Sequence, residues 1–196
     1  MWSLFVGKSL NHNFRYNVMS LLDQNFTNCS IKWQGKKPTS KINAIIENFQ
    51  GEKIGSIISE GSIKRHVGLF NLENSRILSS FSSVMRSKFE IKDSTDTLLG
   101  NGKEKLGWRD SHLIVEDLDE KEILKVLNLS KLAVVHNVQN PNKETVASFE
   151  IKKMEDNYTC DFQIIDQTYD KKILWGSFLA MLSSFYNGTD SHPIGA

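Results

Sequence analysis

Residues 89–100 read FEIKDSTDTLLG and contain the pattern from which most of the fold can be predicted. Apolar and charged residues alternate up to Ile91, as they do in a strand that buries one face. A polar turn follows, and Asp93 favours it because an aspartate side chain bonds to nearby backbone amides. Apolar residues return at Leu98 and Leu99. The stretch therefore predicts a β-hairpin.

The same order of apolar run, polar turn and apolar run occurs five times, and a sixth copy begins before the chain changes character. The copies are residues 45–57, 67–78, 89–100, 113–126 and 134–151, and the sixth opens at 162–166. Short strands at regular spacing predict a β-sandwich or β-barrel. Further strands are predicted at residues 4–6, 14–18 and 30–33.

One copy has an alternative interpretation. Residues 117–132 also fit an amphipathic helix, because apolar residues recur there at helical spacing. The hairpin is favoured because an apolar run, residues 113–115, precedes a turn that matches the other copies.

The last apolar segment, residues 173–186, differs from the hairpins. It is apolar on nearly all sides, which predicts a helix that is buried all round. Asp170 is expected to cap its start, and Asn187 and Gly188 to close its end. The segment is shorter than the roughly 20 residues of a membrane-spanning helix, so a helix enclosed by sheet is predicted, with Trp175 in the core.

The composition fits one domain. The chain has 196 residues with 24 basic and 23 acidic side chains, a net charge of +1 that favours no nucleic-acid partner. We predict a single domain over residues 1–188 and a loose polar tail over 189–196. Cys29 and Cys160 are predicted to be free buried thiols, and the absence of a signal-peptide pattern predicts a cytoplasmic location.

No catalytic or cofactor motif is present, so the sequence predicts a non-enzyme without cofactor or metal. Residues 100–103 read GNGK, which resembles part of a phosphate loop but is interpreted as a plain turn. Five acids before the last helix fit a calcium site less well than a hairpin face with a helix cap. They are Glu155, Asp156, Asp161, Asp166 and Asp170.

Basic residues form small groups along the chain, and the lysine pairs at residues 152–153 and 171–172 are two of them. Where strands bring such groups together, they form pockets for anionic headgroups; the alternative is ordinary surface charge. The preferred candidates for a lipid-binding site lie in the N-terminal half. They are Lys36, Lys37, Lys41, Lys64 and Arg65.

The C-terminal pattern resembles the tubby C-terminal-like superfamily, which includes the phospholipid scramblases and the LURP-one-related proteins. The residues that carry the resemblance are DNY at 156–158, FQI at 162–164, the lysines at 171–172 and the apolar helix. The hairpins at 45–48 and 89–93 are also similar to the family's strand units. The resemblance spans about residues 4–186.

The resemblance implies a closed antiparallel barrel of about 12 strands around a buried hydrophobic C-terminal helix. Tubby proteins bind phosphoinositides through basic side chains on neighbouring strands, whereas the proline-rich and cysteine-rich segments of the scramblases have no counterpart here. The first hypothesis is therefore a binding module for anionic phospholipid headgroups, with peripheral membrane contact and no transmembrane span. The second is a protein-interaction scaffold, for which Trp2 and Trp108 are candidate contacts. A ligand carrier is disfavoured because the helix would fill the barrel.

Overall fold

Twelve β-strands and one α-helix make up the part of the chain that the computed structural model describes. That part comprises residues 28–34, 42–48, 50–60, 65–82, 88–105, 111–129, 135–155 and 157–188. The strands are β1 Asn28–Gln34, β2 Asn43–Glu47, β3 Lys53–Glu60, β4 Arg65–Phe70, β5 Arg76–Ser82, β6 Lys88–Asp93, β7 Leu98–Lys105, β8 His112–Glu116, β9 Glu122–Val126, β10 Val135–Gln139, β11 Thr145–Met154 and β12 Asn157–Ile164. The helix, α1, is Lys171–Gly188.

Each strand pairs antiparallel with the strand that follows it, and β1 pairs with β12 to close the barrel. The closing ladder is long, running from Asn28 opposite Gln163 to Gln34 opposite Asn157. Each described strand therefore has a partner on both sides, which removes the open edges that would otherwise template aggregation. The predicted closed antiparallel barrel is confirmed, and its strand number is twelve.

Alternation along the strands decides which side chains face inwards. In β12, Tyr158, Cys160, Phe162 and Ile164 are buried, and the residues between them are more exposed. Because successive side chains of a strand point to opposite faces, these four form one inward column. The apolar-polar alternation in the sequence therefore selects the face that forms the core.

The helix α1 occupies the interior of the barrel. Its residues 173–183 are all buried, and Trp175 stacks on Phe162 of β12 with ring centroids 4.3 Å apart. On its other side, Gly176 lies against Ile91 of β6. Since β6 and β12 stand about half a circuit apart in the strand order, the helix spans the barrel from wall to wall.

The start of the helix agrees with the sequence prediction. The Asp170 carboxylate accepts a hydrogen bond of 2.8 Å from the backbone N–H of Lys172, so Asp170 is the N-cap. The helix ends at Gly188, close to the predicted end.

One hairpin turn recurs five times at one end of the barrel. Its first residue is always Asn or Asp. The backbone carbonyl oxygen of this residue accepts a hydrogen bond from the backbone N–H three positions later, and its own backbone N–H donates to the carbonyl oxygen four positions later. The fourth residue has positive φ in every copy, which creates a type I turn followed by a bulge. The first residues are Asn48, Asn71, Asp93, Asp117 and Asn140, and the fourth are Gly51, Asn74, Asp96, Glu120 and Lys143.

The side chain of the first turn residue holds the bend. The Asp93 carboxylate accepts from the backbone N–H groups of Thr95 and Thr97, at 2.9 and 3.0 Å. The hydroxyl of Thr95 donates to the same carboxylate, and this bond, ahead of the backbone bonds, lowers the pKa of Asp93. The repeated hairpins are confirmed, including the copy in which Asp117 begins the turn and a helix was the alternative.

The interpretation of residues 100–103 as a turn is wrong, because they lie inside β7. Gly102 is required there for space: a Cβ atom would collide with the Phe89 ring of β6 and with the carbonyl oxygen of Ile114 in β8. Gly100 is likewise close to the neighbouring strand, since a Cβ atom there would lie 2.9 Å from the backbone carbonyl oxygen of Glu116 in β8. The glycines therefore reflect packing inside the barrel wall.

Candidate functional site

The two ends of the barrel differ in charge. We call one of them the turn end, because it carries the five hairpin turns and the segment that leads from β12 into α1. These segments are residues 48–52, 71–75, 93–97, 117–121, 140–144 and 165–172. These segments hold ten acidic and four basic residues. This end therefore has a net negative charge of six.

The opposite end, which we call the basic end, has the reverse sign. The segments that join the strands there are residues 35–42, 61–64, 83–87, 106–111, 127–134 and 155–156. In sequence they hold seven basic and three acidic residues, a net positive charge of four. The net charge of the whole chain is close to zero and does not show this difference between the connections. Summing the charge over alternate connections in the sequence shows it.

Four of the five sequence-predicted lipid-binding residues belong to connections of the basic end, and the fifth is the strand residue that follows one of them. Lys36, Lys37 and Lys41 fall between β1 and β2, and Lys64 precedes Arg65, the first residue of β4. The four lysines and the Arg65 side chain lie outside the described residues, so their geometry stays a prediction.

The described strand ends show that the two connections are neighbours. The β1–β2 and β3–β4 connections are successive connections along the same rim. The start of β2 pairs there with the end of β3, with Asn43 opposite Ile58, so the two connections leave from neighbouring strands.

An aromatic pair closes the inward column at this end. Trp33 of β1 lies opposite Tyr158 of β12, and their rings stack with centroids 5.4 Å apart and an interplanar angle of 13°. Both side chains are buried. Lys153 of β11 lies opposite Tyr158, and its Nζ atom is 5.9 Å from the centre of the tyrosine ring, within the range of a cation–π contact.

The adjacent residues Lys152 and Lys153 lie in different environments because their side chains point to opposite faces of β11. Lys152 points outwards, where its Nζ is 3.1 Å from Asp161 and 3.3 Å from Glu150. The hydrogen bond that Lys152 donates to Asp161, followed by the one that it donates to Glu150, raises the pKa of Lys152. Two carboxylates therefore neutralise Lys152. Among the described residues, no carboxylate oxygen lies within 4 Å of Lys153 Nζ.

Three of the five acidic residues before the helix have structural roles. Asp161 pairs with Lys152, Asp166 begins a turn by accepting from Thr168, and Asp170 caps the helix. The Thr168 hydroxyl, which also donates to Asp166, lowers the pKa of that carboxyl group. Within the described ranges, no group of three or more His, Cys, Asp or Glu side chains is placed to hold a metal ion.

The barrel interior contains two free thiols, as predicted. Cys29 and Cys160 are both buried and unpaired. Burial, together with the Asp161 carboxylate, raises the pKa of Cys29 to about 12, and burial also raises the pKa of Cys160 well above its usual range. A thiol that stays protonated is a poor nucleophile, so neither cysteine is suited to covalent catalysis.

No protein-family model and no curated protein matches this chain. Among the residues described here, no helix has the length and apolar character needed to cross a bilayer.

Proposed function

We propose that this protein is a non-enzymatic binding module for anionic phospholipid headgroups, phosphoinositides among them, which it meets through its basic end. The observation that carries the proposal is the charge of the connecting segments counted in sequence, which sums to −6 for the connections at one end of the closed barrel and to +4 for those at the other. A body with this polarity turns its positive end towards a negatively charged surface.

The interior supports a surface site over an internal one. The inward column of β12 packs on the helix, with Phe162 stacked on Trp175 and Phe178 in edge contact with both rings. Buried apolar side chains from the strands and the helix form one continuous core cluster. A ligand carried inside would have to displace this core, so the proposal assigns binding to the rim.

The test is co-sedimentation with vesicles of neutral lipid, with phosphatidylserine and with phosphoinositide, across a salt series. We expect binding to the two anionic membranes that weakens as salt rises, because exposed charges are screened beyond about 10 Å at 0.1 M salt. Each cation near such a surface contributes about 1 kcal/mol. Neutralising Lys36, Lys37, Lys64 and Arg65 together is therefore expected to weaken binding by two to three orders of magnitude at low salt, at about 1.4 kcal/mol per decade.

A control with the same change of net charge is available at the turn end. Neutralising Lys121, Lys143, Lys171 and Lys172 removes four positive charges and is expected to leave vesicle binding within about twofold of wild type. If both quadruple variants lose binding equally, the attraction does not depend on the basic end. If the wild-type protein ignores anionic vesicles at low salt, the proposed function is wrong.

One observation favours the alternative, a protein-interaction scaffold. Leu72 and Leu118 occupy the second position of two hairpin turns at the turn end, with 60% and 61% of their surface exposed. Exposed apolar side chains that form a contiguous patch mark protein interaction sites, and both leucines project from turns at the same end of the barrel. The predicted contacts Trp2 and Trp108 lie outside the described residues. The scaffold would be favoured if the wild-type protein binds no vesicles but captures a protein partner, and if changing Leu72 and Leu118 to Ser abolishes that capture.

A further inference from the structure

Lys153 occupies an unusual position for a charged residue, at the last inward-facing row of the barrel wall. Ala147, Phe149 and Ile151 precede it on the same face of β11 and are all buried. Strand alternation therefore directs the Lys153 side chain over the mouth of the barrel, and its position above the Tyr158 ring agrees with this. The residue is nevertheless exposed, so its ammonium group meets solvent at the basic end.

We propose that Lys153, supported by the stacked Trp33 and Tyr158 rings, is a binding residue for a phosphate ester at the basic end of the barrel. This inference rests on the proposed function, which it extends by naming a site residue and a ligand chemistry. Three strands build the site, because Lys153, Tyr158 and Trp33 lie side by side across β11, β12 and β1.

The aromatic pair gives the lysine a defined position. A lysine normally loses much rotamer freedom when it binds an anion, which opposes binding. Here the ring of Tyr158 lies beneath the Nζ atom at 5.9 Å, and Trp33 stacks behind that ring and is itself buried. An ammonium group that is held over an aromatic ring by a cation–π contact is partly ordered before the ligand arrives.

Lys153 has no carboxylate partner within the described ranges, in contrast to its neighbour. Lys152 is held between Asp161 and Glu150, whereas no described carboxylate pairs with Lys153. An ammonium group binds phosphate as a compact point charge with three donors. Lys153 is thus the member of the pair that is suited to an anionic ligand.

The test measures binding of Lys153→Gln and Lys153→Arg to phosphatidylcholine vesicles that contain phosphatidylinositol bisphosphate. Loss of one surface cation is expected to weaken binding by Lys153→Gln about fivefold, and Lys153→Arg is expected to retain it. The matched control is Lys121→Gln, which makes the same charge change at the turn end and is expected to bind as wild type. Thermal unfolding of each variant verifies that the fold is intact.

Soluble inositol trisphosphate distinguishes the source of the phosphate. If inositol trisphosphate competes with the vesicles for the protein, the phosphate ester alone suffices for binding. If it does not compete but vesicle binding still depends on Lys153, the lipid surface is needed as well. Either result supports the site. If wild type binds the vesicles and Lys153→Gln binds them as tightly as Lys121→Gln does, the inference is overturned and the proposed function stands. If wild type binds no anionic vesicle, both are overturned.

Discussion

Gly176 of the central helix and Ile91 of β6 are in direct contact, and the helix backbone at Gly176 lies against the Ile91 side chain. A Cβ atom on Gly176 would overlap the branched side chain of Ile91, to which all three of its nearest neighbours belong. The preceding helix residue, Trp175, meets the far wall by stacking on Phe162. The helix therefore fits between two walls, and the glycine sets the spacing on one of them.

Gly176→Ala is expected to destabilise the protein by about 1–3 kcal/mol, although alanine is the better helix former by about 1 kcal/mol. The reason is overpacking against Ile91. Ile91→Ala alone is expected to cost about 2–5 kcal/mol by leaving a cavity, and the double variant is expected to cost less than the sum of the two. Urea unfolding monitored by circular dichroism measures all three. Additive costs would show that the two residues do not constrain each other.

Asp93→Ala is expected to lower the free energy of unfolding by about 1 kcal/mol, because two backbone N–H groups and the Thr95 hydroxyl lose their acceptor. Asp93→Asn is expected to stay within about 0.5 kcal/mol of wild type, since asparagine begins three of the five turns. Ser94→Ala, in the same turn, is the control. Equal losses in the alanine and asparagine variants would contradict this account of the turn.

The same residue predicts a pH effect. Its folded-state pKa is lowered from 3.8, mainly by the Thr95 hydroxyl. The ionised carboxylate therefore stabilises the fold above pH 3.8, and this contribution is lost as the pH falls through the lowered pKa of the folded state. Below pH 4, stability is expected to fall more steeply in wild type than in Asp93→Asn. Identical acid profiles for the two proteins would refute the prediction.

Lys143→Gly is expected to stabilise the protein by about 0.5–1 kcal/mol. Lys143 has a φ of 67°, in the left-handed region that side chains with a Cβ atom adopt at a cost. Gly51 occupies the equivalent position in the first turn with a φ of 78°. Asn142→Gly is the control and is expected to destabilise, because it adds flexibility without relieving a positive φ. Thermal unfolding compares them, and a lower midpoint for Lys143→Gly would contradict the assignment.

Cys29 and Cys160 are expected to react with a thiol reagent only when the barrel opens. Burial excludes the reagent and keeps both thiols protonated. The rate is expected to rise steeply across the urea unfolding transition. Rapid stoichiometric labelling of the native protein would contradict the placement of both residues inside the barrel.

Cys29 also predicts a loss of stability in alkali. Its pKa rises from 9.0 in the unfolded chain to about 12 in the fold, so the unfolded state releases its proton first. The stability that Cys29 contributes is present below pH 9 and is lost as the pH rises towards 12. Cys29→Ala is expected to show a shallower decline over this range. A decline as steep as that of wild type would assign the alkaline effect to other groups.

Local sequence patterns determined the hairpins and the helix. Alternation around Ile91 predicted a strand, Asp93 predicted the turn after it, and Asp170 predicted the start of the helix, because each of these signals acts over a few residues. The turn predicted at residues 100–103 was wrong for the same reason, because that prediction also used only neighbouring residues. Glycine favours a turn locally, but Gly102 is a strand residue whose small size is required by Phe89 on the neighbouring strand.

The sequence by itself thus determined the strands, the five turns and the all-round apolar helix, because period and turn chemistry are encoded between neighbours. Only the tertiary structure decided the register that closes β1 on β12, the seating of Gly176 against Ile91, and the separation of Lys152 from Lys153. It also decided that alternate connections gather at opposite ends, which turns a chain of net charge +1 into a polar barrel. These features depend on residues that are distant in sequence, and pairing across the closed sheet brings them together.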